Sequence, residues 1–260
     1  MTCHSAVLLI VSAIAAGLCV PNVAAAQECR RLLDAGVSHF SLYHKDPVHV
    51  GQAAEAYLNA AKDADCAYEA YWRLADLYLC WGTVQKSKAE KIRNFKKGAE
   101  YASLAIKTKP GAKEGHYYRA VTTGSIVQVE GPMKNLLRVR EVNKENGKAL
   151  AIDPGYSPAL LVEARFMADM PGIFGGSDRK AETLFRKAID ADPQWETPYV
   201  SLAEFLFHRK RFAEAGELLK KVLADDFPHR YEAPWVTIDK PKAQTLTAKI
   251  MIDKPGGASQ

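Results

Sequence analysis

The residues most able to do chemistry are three histidines, His39, His44 and His49, which recur every five positions. Histidines that share a metal on one helix face sit three or four residues apart, so a spacing of five sends them to diverging faces. Pro47 also interrupts the stretch, and the sequence reads these as solvated or loop histidines. Gly172-Ile-Phe-Gly-Gly-Ser177 has the glycine content of a phosphate cradle. It lacks the Gly-Lys-Ser/Thr ending and no strand signal precedes it, so it predicts a turn whose Ser177 or Asp178 caps the next helix. Lys86, Lys88, Lys91, Arg93, Lys96 and Lys97 have Glu90 among them and read as a solvated helix face. Asp190 and Asp192 stand beside Pro193 and read as turn residues. No motif of nucleophilic hydrolases, zincins, P-loops or dinucleotide binders is present. The expectation is a chain with no catalytic residue, metal or cofactor.

The 260 residues are 48% hydrophobic and 25% charged, which is ordinary for a folded protein. A net charge of +5 spread along the chain falls short of a nucleic-acid signature. From Ala6 to Val20 there is no charge, Pro21-Asn22 breaks the run, and Ala24-Ala-Ala26 precedes Gln27. That pattern is a secretory signal peptide, too short for a membrane span. Cys19 follows Leu18, where a lipid-bearing cysteine normally follows Gly, Ala or Ser, so a soluble mature chain is expected. Residues 1–26 are therefore read as a signal peptide and the product as periplasmic or secreted, with membrane attachment only if the signal stays uncleaved. Cys29, Cys66 and Cys80 remain after cleavage. An oxidising compartment permits one disulfide among them, and none has C-x-x-C spacing.

The elements that position these residues recur. Leu104–Pro110, Lys148–Pro154 and Lys187–Pro193 are alike, each with an alanine (Ala105, Ala149, Ala188) five residues before the proline, and a fainter copy ends at Pro228. The prolines are 44, 39 and 35 residues apart. Tyr199, Leu202, Ala203 and Leu206 make the face of one helix, and Ala215, Leu219 and Val222 that of the next. Tyr71, Leu74, Ala75 and Tyr78, followed by Ala102 and Ala105, do the same in an earlier copy. Ser157-Pro158 and Thr197-Pro198 read as N-cap hydroxyls followed by a proline at the first helical position.

On these residues, 67–228 resemble tetratricopeptide repeats, whose period is about 34 residues, and 28–66 look like one more degenerate pair, with Ala54, Leu58 and Ala61 on its second helix. The resemblance implies an all-α, right-handed solenoid of about five helical hairpins over 27–228. The surplus residues fall between paired helices, at 81–93, 125–139 and 170–176. In 229–260, a helix from Lys240 to Ile252 with Ala243, Leu246 and Ile250 on one face would cap the last repeat, and a disordered end follows. Pro171–Asp178, leading into Ala181, also resembles the bacterial subset that includes the periplasmic T components of TRAP transporters.

The same resemblance implies an inner groove. Carried over position by position, it is lined by Trp72, Arg73 and Asp76, by Tyr118, Arg119 and Thr122, by Glu163 beside Val162, and by Ser201 and Glu204. Aromatics and arginines are the residue types that anchor interfaces, although Trp72 and Tyr118 could equally fill space between helices. The expected function is an exported scaffold for a protein partner, such as a periplasmic substrate-binding protein served by a transporter. The alternative is a carrier of an apolar or carboxylate small molecule in the groove. Cys29 at the start of the first helix and Cys66 just past the end of the second would meet in an antiparallel hairpin, which predicts their disulfide and a free Cys80.

The N-terminal pattern predicts that the exported protein begins at Gln27. Its intact mass would show this directly, and a chain retaining Met1 or carrying lipid on Cys19 would contradict it.

Overall fold

The computed structural model describes residues 23–253, apart from 132–133, 173–174 and 230. The signal-peptide reading of residues 1–22 and the expected disordered end after 253 lie outside the described residues. Among those described there are helices and no strands. They form five antiparallel pairs: α1 (Val23–Leu42) with α2 (Val48–Ala60), α3 (Ala64–Val84) with α4 (Lys88–Thr108), α5 (Lys113–Glu130) with α6 (Leu136–Ile152), α7 (Ser157–Asp169) with α8 (Asp178–Ala191), and α9 (Glu196–His208) with α10 (Phe212–Val222). A short turn α11 (Glu232–Pro234) runs through π-helical Trp235–Asp239 into α12 (Lys240–Asp253). No helix among the described residues is long and apolar enough to cross a membrane.

The repeat is physical. Ala105, Ala149 and Ala188 are each completely buried, and each carbonyl accepts the amide of the residue four positions on, Lys109, Asp153 and Asp192. Those three residues leave the helix with nearly one conformation, φ −143°, −140° and −145° with ψ 82°, 97° and 80°. The following proline forbids the α region there, and its missing N–H cannot extend the helix. The small side chain lets the next pair come close: a Cβ on Gly115 would stand 3.0 Å from the Ile106 nitrogen. Large residues of the first helices fill the remaining space, as Leu74, Leu202 and Leu206 do at zero exposure.

Several sequence expectations need correcting. The surplus residues of the second pair are helix and not loop: α3 and α4 have 21 residues each and only 85–87 separate them. Helix-favouring residues without proline carry α4 forward from Ser87, which accepts the Glu90 amide at 3.2 Å and donates to its carboxylate at 2.8 Å. In the third pair most of 125–139 is likewise helical; only between α7 and α8 is the surplus mainly loop. There Ser177 is the N-cap of α8. A Cβ on Gly176 would lie 1.6 Å from the Met170 carbonyl oxygen, so only glycine fits. Ser157 and Thr197 do not cap their helices, which begin after Tyr156 and Trp195. Both hydroxyls have tertiary partners: Ser157 donates to the Ala188 carbonyl at 2.7 Å and Thr197 to Asp239 at 2.7 Å. On α2 the buried face runs through Val50, Ala53, Ala54, Tyr57 and Ala60, while Leu58 is exposed. Tyr57 sets that register by lying flat on Gly36, where any Cβ would meet its ring at 2.3 Å.

Three apolar clusters result. One belongs to the first two pairs, a central one joins α3–α7, and a large one joins α7–α10 with Ala243, Leu246 and Ile250 of α12. The expected capping helix is therefore present and packs on the last pair. The turn before it does something the sequence did not suggest. Ala233, fully buried, is part of the N-terminal cluster, while Trp235, two residues on, is part of the C-terminal one. One short segment thus ties both ends of the stack together.

Cys29 and Cys66 are joined by a disulfide with Cα atoms 6.1 Å apart, and Cys80 is a buried free thiol. Cys29 lies inside α1 and not at its start as expected, and Cys66, which follows the end of α2, is already in the first turn of α3. The bond therefore links the first pair to the second. Closing a 37-residue separation stabilises the chain by about 4 kcal/mol on the chain-entropy model. Cys29→Ser is expected to lower the stability of α1 and α2 most, read as faster amide exchange there, with α8–α10 unchanged. Equal exchange in both proteins would contradict this.

Candidate functional site

The inner face of the stack is lined by the first helices of the pairs, α1, α3, α5, α7 and α9. On α3, Trp72 stacks parallel to Tyr118 of α5, with centroids 5.8 Å apart and planes 5° from parallel. The Arg73 guanidinium lies 4.6 Å over the Trp72 ring and forks onto one oxygen of Glu69 at 2.8 and 2.9 Å. The other Glu69 oxygen takes Arg30 of α1 at 2.9 Å. Arg73 is therefore held flat and half-buried, pre-organised for a carboxylate or a carbonyl. Asp76, one turn on, accepts the Cys80 thiol at 3.7 Å. Burial and the neighbouring Asp76 carboxylate push the Cys80 thiol well up, so it stays protonated.

Not all expected groove residues reach this face. Tyr118 is buried, and its stack on Trp72 is both packing and wall. Arg119 points the other way, to the second helices, where it pairs with Glu141 of α6 at its Nε at 2.6 Å and donates to the Ala99 carbonyl at 3.1 Å and Ser103 at 3.0 Å of α4. Thr122 is fully buried, its methyl against Gly98 and its hydroxyl on the Tyr118 carbonyl at 2.6 Å. The offset between Arg73 and Arg119 arises because α5 is buried nearly all round, so equivalent sequence positions do not share an environment. Glu163 faces Asn146 of α6 at 3.4 Å. Ser201 is buried and accepts Arg165 of α7 at 2.7 Å. Glu204 takes Lys242 of α12 at 2.6 Å.

The same face carries residues that sequence reasoning missed, because they meet a segment from the far end of the chain. Tyr231 packs edge-on near Phe40, centroids 6.4 Å apart, and lies within electrostatic reach of Tyr57, Arg73 and Tyr118. Thr237 and Tyr43 share a hydrogen bond at 2.9 Å. Glu232 stands 3.7 Å from the His44 imidazole. Trp235 stacks on His229 at 3.9 Å. Asp239 is 5% exposed, and burial raises its carboxyl above the usual range, opposed by the Thr197 hydroxyl and the charges of Arg165 and Lys242. The available signal was the pair of aromatics Tyr231 and Trp235 just ahead of the capping helix.

The histidines are placed differently from expectation. His39 and His49 meet at 3.1 Å through their Nδ1 atoms, because Pro47 starts a second helix that folds back on the first. An imidazole N–H to N bond accounts for that distance. Among the described residues, the group of three side chains spaced like metal ligands is Cys29, Asp63 and Cys66, and its two sulfurs are consumed by the disulfide. Lys97 of the basic stretch lies 4.4 Å over the Tyr78 ring. Between α5, α6 and α7 a cavity of about 330 Å³ is lined by valines, among them Val121, Val142 and Val162, with Phe166 and Arg165.

Residues 40–170 match a family model described as RMD1-3, regulator of microtubule dynamics protein 1-3. No curated protein matches the chain. Among solved structures, the crystal structure of TTC0263, a thermophilic TPR protein of Thermus thermophilus, is similar with a TM-score of 0.59 at 17% identity, covering 86% of this chain and 99% of that one. At that identity the likeness establishes the fold, an all-α solenoid of tetratricopeptide-like hairpins. These findings give no support to the TRAP resemblance.

Asp239 generates a signed prediction. A carboxyl raised by burial contributes stability that is complete below its ordinary pKa and lost as pH rises through the raised value. Asp239→Asn keeps an acceptor for Thr197 and removes the buried charge. It is expected to raise the melting temperature at neutral pH, by about 2–4 °C per kcal/mol gained, and to flatten its pH dependence between weakly acidic and neutral solution. A lower melting temperature at every pH would contradict the burial argument.

Proposed function

We propose, from the premise that this chain belongs to the regulator of microtubule dynamics protein 1-3 family, that it is a non-catalytic scaffold holding a protein partner on its inner face. The tetratricopeptide-like fold is of a scaffold type. Repeat solenoids offer an extended concave surface to partners, and this one presents rigid aromatics beside a pre-organised arginine. The observation that carries the reading is that the face already receives a polypeptide segment, residues 231–239, through apolar, hydroxyl and carboxylate contacts. The finer reading is an exported scaffold that docks a periplasmic substrate-binding protein. It is supported by the apolar N-terminal run and by a disulfide, which persists in oxidising compartments.

One observation favours a second reading, a carrier of a small molecule. The cavity between α5, α6 and α7 has mostly apolar walls with Arg165 and Asp169 among its lining, which suits an apolar molecule with a polar end. Native mass spectrometry of the purified protein distinguishes the two by a retained small mass.

Affinity capture with the full chain, followed by binding measurements on the captured protein, tests the scaffold reading. Arg73→Ala is expected to weaken binding by about 1–3 kcal/mol, as hot-spot truncations do. Arg119→Ala, which loses its pair with Glu141, is expected to lower stability and leave affinity unchanged. The reverse order would place the partner on the outer face.

A further inference from the structure

The segment across the inner face has the marks of a resident ligand and not only of a cap. Capping is done by α12, whose Ala243, Leu246 and Ile250 cover the last pair. Residues 231–239 instead touch first helices from opposite ends of the stack. Ala233 and Ile238 pack on the N-terminal cluster, Trp235 on the C-terminal one, Thr237 bonds Tyr43 of α1, and Asp239 accepts from Thr197 of α9. Peptide ligands in helical grooves make contacts of this kind, with anchors one turn apart on a single face. Ala233 and Thr237, and Trp235 and Asp239, are such pairs.

The fit is also incomplete. The Nδ1 atoms of His44 and His229 are buried with no hydrogen-bond partner, and they flank the segment, His44 near Glu232 and His229 under Trp235. Asp239 buries a carboxylate with one hydroxyl donor. The backbone from Trp235 to Asp239 is π-helical, a form that is rare and concentrated at functional sites. Buried polar groups left without partners penalise the closed arrangement. A segment so held can be exchanged for one that satisfies them.

We propose that the inner face is a peptide-docking groove whose resting occupant is this chain's own residues 231–239, and that a protein partner docks by displacing them with a segment of like chemistry. That segment is one to two helical turns carrying a small residue, a tryptophan-sized aromatic two positions on, and a carboxylate one turn after the aromatic. The inference rests on the scaffold reading and adds where the partner sits and what it presents. Because the occupant is tethered, its effective concentration is in the millimolar range or above. A free segment therefore binds the resting chain weakly, and it binds tightly only when the occupant is weakened.

The full chain, with its four tryptophans replaced by 5-fluorotryptophan, reports the exchange by ¹⁹F NMR, with Trp235→Phe assigning the signal. The probe is a synthetic peptide of residues 229–241 of this chain. Ala233→Asp should move the Trp235 signal to its solvent-exposed position and raise peptide affinity at least tenfold over wild type. Trp235→Ala, which leaves the groove walls intact, is the second variant, read by fluorescence anisotropy of labelled peptide, and should show the same gain. Equal affinity in wild type and in whichever variants remain folded, by circular dichroism, overturns the proposal. Affinity for the captured partner is measured separately, so a partner that binds without competing with the peptide leaves the scaffold reading standing and removes this one.

Discussion

Three of the second helices, α4, α6 and α8, carry an alanine at the point where the next pair arrives, and the rest of the architecture depends on that contact. Ala105, Ala149 and Ala188 have no exposed surface. A larger side chain there would push the following hairpin away from its neighbour, and overpacking of a close-packed core is costly. The proline five residues later ends the helix at a fixed point, so these three pairs turn at the same place relative to their alanine. Stacking is then a nearest-neighbour property, and the first helices line up on one side because the chain has no other way to bury them.

A stack built in this way has two ends and one inner face, and in this protein a single segment meets all three. Ala233 and Trp235 lie two residues apart on the same strip of chain yet belong to cores at opposite ends. The inner face is thus a surface with a polypeptide already seated on it. Two of its polar residues are organised by that occupancy, Tyr43 on Thr237 and Thr197 on Asp239. Arg73 is held instead by Glu69 and Trp72, which keeps its guanidinium ordered whatever lies above it.

The sequence made the repeat legible because alanine, proline and the large residues of the first helices act locally, within one hairpin. Helix lengths were less legible: nothing in Trp81–Arg93 says loop or helix until Ser87 is seen to cap α4 through Glu90. The groove was legible only in part. Trp72, Arg73 and Asp76 lie on the inner face, whereas Arg119 and Thr122 occupy equivalent positions of the next unit and turn to α4 and α6, because α5 is enclosed on nearly every side. The contacts of residues 231–239 could not be read at all. They pair Thr237 with Tyr43, 194 positions earlier, and no local pattern encodes a partner that distant. The meeting of Cys29 and Cys66 followed from hairpin geometry, although the bond joins two pairs and not the ends of one.

Hydrogen exchange of the full chain, alone and with its captured partner bound, tests most directly whether the inner face is where recognition happens. The result predicted is that amides of residues 231–239 exchange faster when the partner is bound, while those of α3 and α9 hold or gain protection. Unchanged protection of 231–239 in the saturated complex, with new protection confined to α4, α6 or α8, would contradict it.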